Sequence, residues 1–141
     1  MLKMNPSQSD RYFIVGLDDT GKPGVVLLAG QQNLVTSSDP ATVVVTPDAT
    51  PQPTEADFTL PSGIAVPKGT PTLASGTVSA AKPPAQENVA ITVTSHIQNA
   101  DGSPVLDDTN TAVPDVSDIV TIVPGLLKSE GVLFGAPTTA A

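Results

Sequence analysis

Apolar side chains along this chain gather in short runs broken by clusters of Gly, Pro, Asp, Asn and Ser, and no stretch keeps the spacing of an amphipathic helix. The clearest pattern covers residues 89–98. There Val89, Ile91, Val93 and Ile97 fall on one face, with Ser95 among them, while Thr92, Thr94, His96 and Gln98 fall on the other. Strict alternation of this kind predicts a strand with one buried and one wet face, as in an antiparallel sheet. Shorter apolar runs predict further strands over residues 12–17, 25–28, 41–46, 73–80 and 119–123. The turn formers at 18–24 join the first two of these into a hairpin with a long loop.

Composition changes the picture in the middle of the chain. Pro47, Pro51, Pro53, Pro61, Pro67 and Pro71 exclude a helix and central strands over most of 47–71, leaving room for short edge pieces near 58–60 and 64–66. Neither flank of this proline-rich stretch holds enough strands for a core of its own. The 141 residues are therefore read as one domain, 11–125, with proline-rich loops at 47–71. Residues 1–10 are expected to form an N-terminal arm, and 126–141 a C-terminal tail. Within that tail Leu126, Leu127, Val132, Leu133 and Phe134 are apolar enough to pack on something. The expected fold is all-β, an antiparallel sandwich with a closed barrel as the runner-up.

Charge then narrows the choice of partners. The net charge is −8, and the six cations, Lys3, Arg11, Lys22, Lys68, Lys82 and Lys128, are scattered along the chain. Nucleic acid and anionic membrane are thus not expected as partners, because both need several basic groups acting together. There is no cysteine, which removes disulfides and thiolate metal sites. The N-terminal residues lack the apolar stretch of a signal peptide and no run has the length of a membrane span. The expectation is synthesis in the cytoplasm without export by the general route.

Candidate chemistry is sparse. His96 is the one histidine, so a Cys-His or multi-His site cannot be assembled, and the pleat turns Ser95 to the face opposite it. Paired carboxylates occur at Asp18-Asp19 and Asp107-Asp108, but carbohydrate chemistry also needs aromatic platforms. The chain has no Trp and only Tyr12, Phe13, Phe58 and Phe134. No glycine-rich phosphate loop opens a helix. Calcium is the one metal chemistry that the loop oxygens of Asn99, Asp101, Ser103, Asp107 and Asp108 admit, with Asp101, Asp107 and Asp108 as candidate ligands. Their spacing departs from the twelve-residue calcium loop, and turn formation already accounts for these residue types. Neither an enzyme nor a cofactor is expected.

A strand ending in Asp18-Asp19-Thr20-Gly21-Lys22-Pro23-Gly24, then Thr36-Ser37-Ser38-Asp39-Pro40, then Ala41-Thr42-Val43-Val44-Val45, resembles the bacterial immunoglobulin-like domains of group 2. The resemblance runs from about residue 11 to 125. It departs at Val35, where the family often carries Trp, and at the proline-rich insertion. It implies an immunoglobulin-like sandwich with a scaffold or display role and no catalytic residues. Such domains occur in tailed-phage particles and in bacterial adhesins. The expectation is therefore a virion structural protein, such as a capsid decoration or other head or tail accessory. Its partner would be the major capsid or another virion protein, and arm exchange would allow a homo-oligomer. A bacterial cell-surface adhesion or cell-wall module is the alternative, with an extracellular location.

Overall fold

A computed structural model describes residues 1–124 as strands and loops without a helix. The strands are β1 (Leu2–Met4), β2 (Ser9–Ile14), β3 (Gly16–Leu17), β4 (Pro23–Val25), β5 (Gln31–Ser37) and β6 (Val43–Pro47). They continue with β7 (Phe58–Thr59), β8 (Ala65–Val66), β9 (Ala74–Ala80), β10 (Ala90–Asn99) and β11 (Val116–Ile122). One sheet has the order β1-β11-β10-β5, a second the order β2-β9-β6, and β3-β4 and β7-β8 form two small ribbons. The expected all-β class holds. The expected tail, 126–141, lies outside the described residues.

The two larger sheets share one core. Met4, Ile91, Val120 and Ile122 from the first meet Val43, Val78 and Ala80 from the second, with Leu2, Tyr12, Val45 and Val93 packed around them. Alternation explains the membership: in β9 Val78 and Ala80 are buried two residues apart, and in β11 Val120 and Ile122 are. The predicted strand at 89–98 is β10, whose buried face carries Ile91 and Ser95, although Val89 precedes the strand and is exposed.

The N-terminal arm is a correction. Leu2, Lys3 and Met4 pair in parallel with Val120, Thr121 and Ile122, Met4 is buried in the core, and Ser9 and Asp10 already belong to β2. The cause is physical. Leu2 and Met4 stand at the strand period, and the edge of β11 supplies unpaired backbone groups for them to satisfy. The segment 25–28 is a second difference, since only Val25 joins a ladder, while Val26 and Leu28 are exposed. Strand β5 is a third, because Gln31, Gln32 and Asn33 hide it from a hydrophobicity pattern. Backbone pairing with β10 from Ser37↔Val93 to Gln31↔Asn99 fixes it instead.

The proline-rich stretch is well organised. Thr54, Thr70 and Thr72 are buried and turn their hydroxyls onto carbonyls that no ladder reaches: Thr54 and Thr70 donate to Pro67 O at 2.9 and 2.6 Å, and Thr72 to Gln52 O at 2.7 Å. Side-chain hydroxyls here replace the strand partners that proline denies. Its base is clamped to the second sheet by a bidentate pair, Arg11 Nη1 and Nη2 donating to Asp48 at 3.0 and 2.6 Å. Ser75 Oγ adds a third donor to Asp48 at 2.6 Å, and the Arg11 and Ser75 bonds together hold that carboxyl down at about 2.

Gly76 sits where no side chain fits. A Cβ there would lie 2.5 Å from both Thr46 O and the Tyr12 hydroxyl, because the Tyr12 ring lies across it from the neighbouring strand. The Tyr12 hydroxyl itself is buried and has no hydrogen-bond partner among the described residues, and that burial pushes its pKa up.

Candidate interaction surface

Two ribbons flank one end of the sandwich. The first is β3-β4, where Gly16 lets the backbone lie against Val25 and Leu73; an added Cβ would stand 3.0 Å from Val25 and 3.2 Å from Leu73. The second is built on the bridge Leu106↔Ala112 and the bond from Val113 N–H to Val105 O, 2.9 Å.

The same turn closes both ribbons. Asp18 Oδ1 accepts from the Thr20 N–H, the Thr20 hydroxyl and the Lys22 N–H at 2.9, 2.6 and 2.9 Å. Asp107 Oδ1 accepts from the Thr109 N–H, the Thr109 hydroxyl and the Thr111 N–H at 2.9, 2.7 and 2.9 Å. Gly21 and Asn110 occupy the matching left-handed position, with φ of 83° and 63°. Asp-Asp-Thr followed by Gly or Asn is thus one structural word used twice, and hydrogen bonds, led by that from the Thr hydroxyl, lower the pKa of each capping Asp.

Between the ribbons lies an apolar groove of about 430 Å³. Ile14, Leu73 and Ile97 line it from the sandwich, and Leu17, Val26, Leu28, Val113 and Val116 line it from the ribbons and strand ends. Val26, Leu28 and Val116 are 50%, 68% and 56% exposed, so the rim of the groove is itself apolar and faces water. Contiguous exposed apolar surface of this kind is uncommon on soluble monomeric proteins.

The residues singled out for chemistry are dispersed. Asp18 and Asp107 cap their turns, while Asp19 and Asp108 stand exposed beside them. Asp101 caps a third turn, accepting from the Ser103 N–H and hydroxyl at 2.9 and 2.6 Å. The calcium candidates Asp101, Asp107 and Asp108 do not converge, and among the described residues no three His, Cys, Asp or Glu side chains stand as a metal-binding group. His96 Nδ1 lies 2.6 Å from Asp115 Oδ1 in an exposed pair, while Ser95, on the buried face, donates to Asn33 Oδ1 at 3.0 Å. Ser95 and His96 therefore share no site.

No family model, curated protein or solved structure matches this chain. The immunoglobulin-like resemblance accordingly stays with the short segments that carry it, the turn at 18–24 and the segment 36–45. The apolar groove lies apart from the one segment that the sequence marks as apolar enough to pack on something, within 126–134, which lies outside the described residues. One signal for the groove was present in the chain. Val25-Val26-Leu27-Leu28 is an apolar run without alternation, and an unalternating run that does not enter a sheet core must find another surface to cover it.

Proposed function

We propose that this chain is a non-enzymatic structural module of a bacteriophage particle, a capsid decoration or other head or tail accessory with an immunoglobulin-like sandwich as its scaffold. The observation that carries the attachment role is the apolar groove with its exposed rim, Val26, Leu28 and Val116, at one end of the sandwich. Its occupant is an apolar segment of the major capsid or another virion protein. Strand order supports the immunoglobulin-like reading. The sheet β5-β10-β11 and the sheet β2-β9-β6 have the order C-F-G against B-E-D of constant-type immunoglobulin sandwiches. The particle setting comes from the resemblance in the turn at 18–24 and the segment 36–45.

Attachment would be passive and multivalent: many copies on a repeating surface hold firmly although each groove buries a modest area. The test is the composition of purified particles from cells that carry the gene, measured by mass spectrometry. The chain is expected in the particles, and Leu28→Asp is expected to remove it while leaving expression unchanged. Recovery in the cell envelope and not in particles would overturn this reading and assign the chain to a surface adhesion module.

A further inference from the structure

Each of the two larger sheets ends in strands whose outer backbone edge meets no further strand among the described residues, β1 and β5 in the first and β2 and β6 in the second. Three of these edges carry features that keep a strand from pairing with another chain. β1 is three residues long and includes Lys3, β2 carries Asp10 and Arg11, and β6 ends in Pro47. β5 carries none of them. Gln31-Gln32-Asn33-Leu34-Val35-Thr36-Ser37 is a strand of seven residues without a charge, a proline or a glycine, and it pairs with β10 in unbroken register.

The ladder with β10 fixes which backbone groups of β5 point away from the sheet. The Ser38 N–H donates to Thr92 O at 2.9 Å and the Ala100 N–H to Gly30 O at 2.7 Å, which marks 38 and 30 as residues bonded to β10. Antiparallel pairs alternate between bonded and non-bonded, so 32, 34 and 36 also turn their backbone groups to β10, and 31, 33, 35 and 37 turn theirs outward. The Gln31 N–H accordingly donates outside the ladder, to Leu28 O at 3.0 Å. The N–H and C=O of Asn33 and Val35 meet no backbone partner among the described residues. The sequence around these groups matches itself. A second copy laid antiparallel about Leu34 sets Asn33 opposite Val35, Gln31 opposite Ser37, Gln32 opposite Thr36 and Leu34 opposite Leu34. The Asn33–Val35 pairs are then the hydrogen-bonded ones. Leu34, 41% exposed, falls in the closer, non-bonded kind of pair, with about 4.5 Å between Cα atoms. Over residues 29–39 the one charge is Asp39, which comes to lie opposite Ala29, so no like charges oppose each other.

We propose that β5 is a self-association edge: two copies of this chain pair their β5 strands antiparallel about a two-fold axis at Leu34 and join two four-stranded sheets into one continuous sheet. Asn33 and Val35 of each copy exchange backbone hydrogen bonds across the axis, and the two Leu34 side chains cover each other on the outer face. The interface is small, so the dimer is weak and reversible in solution, and a repeating surface that holds copies side by side would strengthen it. Gln31 and Asn33 also line the apolar groove, from the inner face of the sheet, whereas the pairing uses their backbone at its edge. The proposal stands whether or not the particle setting does.

Sedimentation velocity on the full chain tests it, from about 1 μM to about 1 mM and at about 0.15 M salt, where the net charge is screened. A reversible equilibrium of monomer and dimer is expected in that range, and a monomer throughout would overturn the proposal. Leu34→Lys sets like charges opposite each other at the axis, as does Leu34→Glu, so each substituted chain alone is expected to be monomeric with an unchanged thermal midpoint. Mixed one to one, the two chains should dimerise again, because opposite charges then meet. A dimer that survives either substitution, or a mixture that stays monomeric, would overturn the two-fold pairing. Hydrogen exchange on the wild type needs no substitution. The Asn33 and Val35 amides are expected to slow at least about threefold from dilute to concentrated chain, while that of Leu34, bonded to β10, stays the same. Three amides that respond alike would overturn the register. Leu28→Asp, on the groove, is expected to leave the dimer intact, and a dimer that it dissociates would overturn the proposal and assign self-association to the groove. A monomeric wild type whose entry into particles is lost on Leu34→Lys would overturn the second copy as occupant and give the edge to a strand of another protein.

Discussion

The two ends of the sandwich are built on opposite terms. At the closed end Met4, Val43, Ala80 and Ile122 are almost wholly buried, and β1 seals the sheet by pairing with the end of β11. At the open end the same β11 begins with Val116, 56% exposed, beside ribbons that present Leu17, Val26 and Leu28 to water. The hydrophobic contribution to stability scales with apolar area removed from water, so it is concentrated in the first end. The second end leaves apolar area exposed to water. If that end is the attachment surface proposed above, it could be altered without unfolding the scaffold.

The largest expected effect breaks the closed end. Ile122→Ala deletes a fully buried side chain from the shared core and should cost roughly 2–5 kcal/mol, whereas Val116→Ala on the same strand should cost under about 0.5 kcal/mol. Paired denaturant titrations of the two variants measure the contrast. Equal losses would mean that the open end is covered in the folded chain.

The features of the sequence that reported on this architecture were those with a period. Alternation over 89–98 located β10 to within one residue at each end, and the apolar runs located β9, β6 and β11 to within three. Prolines marked the loops around β7 and β8. What stayed illegible has physical reasons. β1 is three residues long, too short to show a period, and its burial depends on an edge that lies far away in the chain. β5 alternates weakly because Gln31, Gln32 and Asn33 satisfy a ladder and little core. The apolar groove has no motif at all, since it arises from two ribbons distant in sequence. The Asp-Asp-Thr pairs were visible as carboxylates, and it took the turn geometry to identify Asp18 and Asp107 as caps.

Between the two ends sits Gly76, whose missing side chain admits the Tyr12 ring. Gly76→Ala is expected to destabilise by about 1–3 kcal/mol through forced displacement of that ring or of the β6 backbone. Tyr12→Leu should recover part of the loss in the double variant, because a buried hydroxyl with no partner among the described residues disappears along with the clash. A thermodynamic cycle over the four chains reads the coupling. Additive effects would show that Tyr12 is not what excludes a side chain at 76.

The polar clamp at the base of the proline-rich stretch responds to acid in a defined direction. Asp48 has its folded pKa held at about 2, below the value of about 3.9 for an unfolded aspartate. The folded state therefore binds its proton less readily. The stabilisation is fully present above about pH 4 and is lost as pH falls from there through about 2. The thermal midpoint of the wild type should drop more steeply across that window than that of Asp48→Asn, with little difference in slope between pH 5 and 7. Parallel profiles would mean that the Arg11 pair does not hold in solution.

The smallest expected effect on the fold is also the one that sharpens the contrast most. Leu28 is 68% exposed, and the turn that carries it is held by backbone and Gln31 contacts: the Leu28 N–H donates to Gln31 Oε1 at 2.9 Å and the Gln31 N–H to Leu28 O at 3.0 Å. Leu28→Asp leaves both bonds available and buries no charge, so stability should change by less than about 0.5 kcal/mol. It also sets a carboxylate on the rim of the apolar groove. Any partner that covers the rim must then desolvate that charge without a counterion, a cost of several kcal/mol, which is enough to abolish a modest contact. Thermal melting and particle incorporation measured on one preparation separate the two quantities. An unchanged melt with lost incorporation is the result expected of a surface kept for contact, and retained incorporation would remove the groove from the attachment reading.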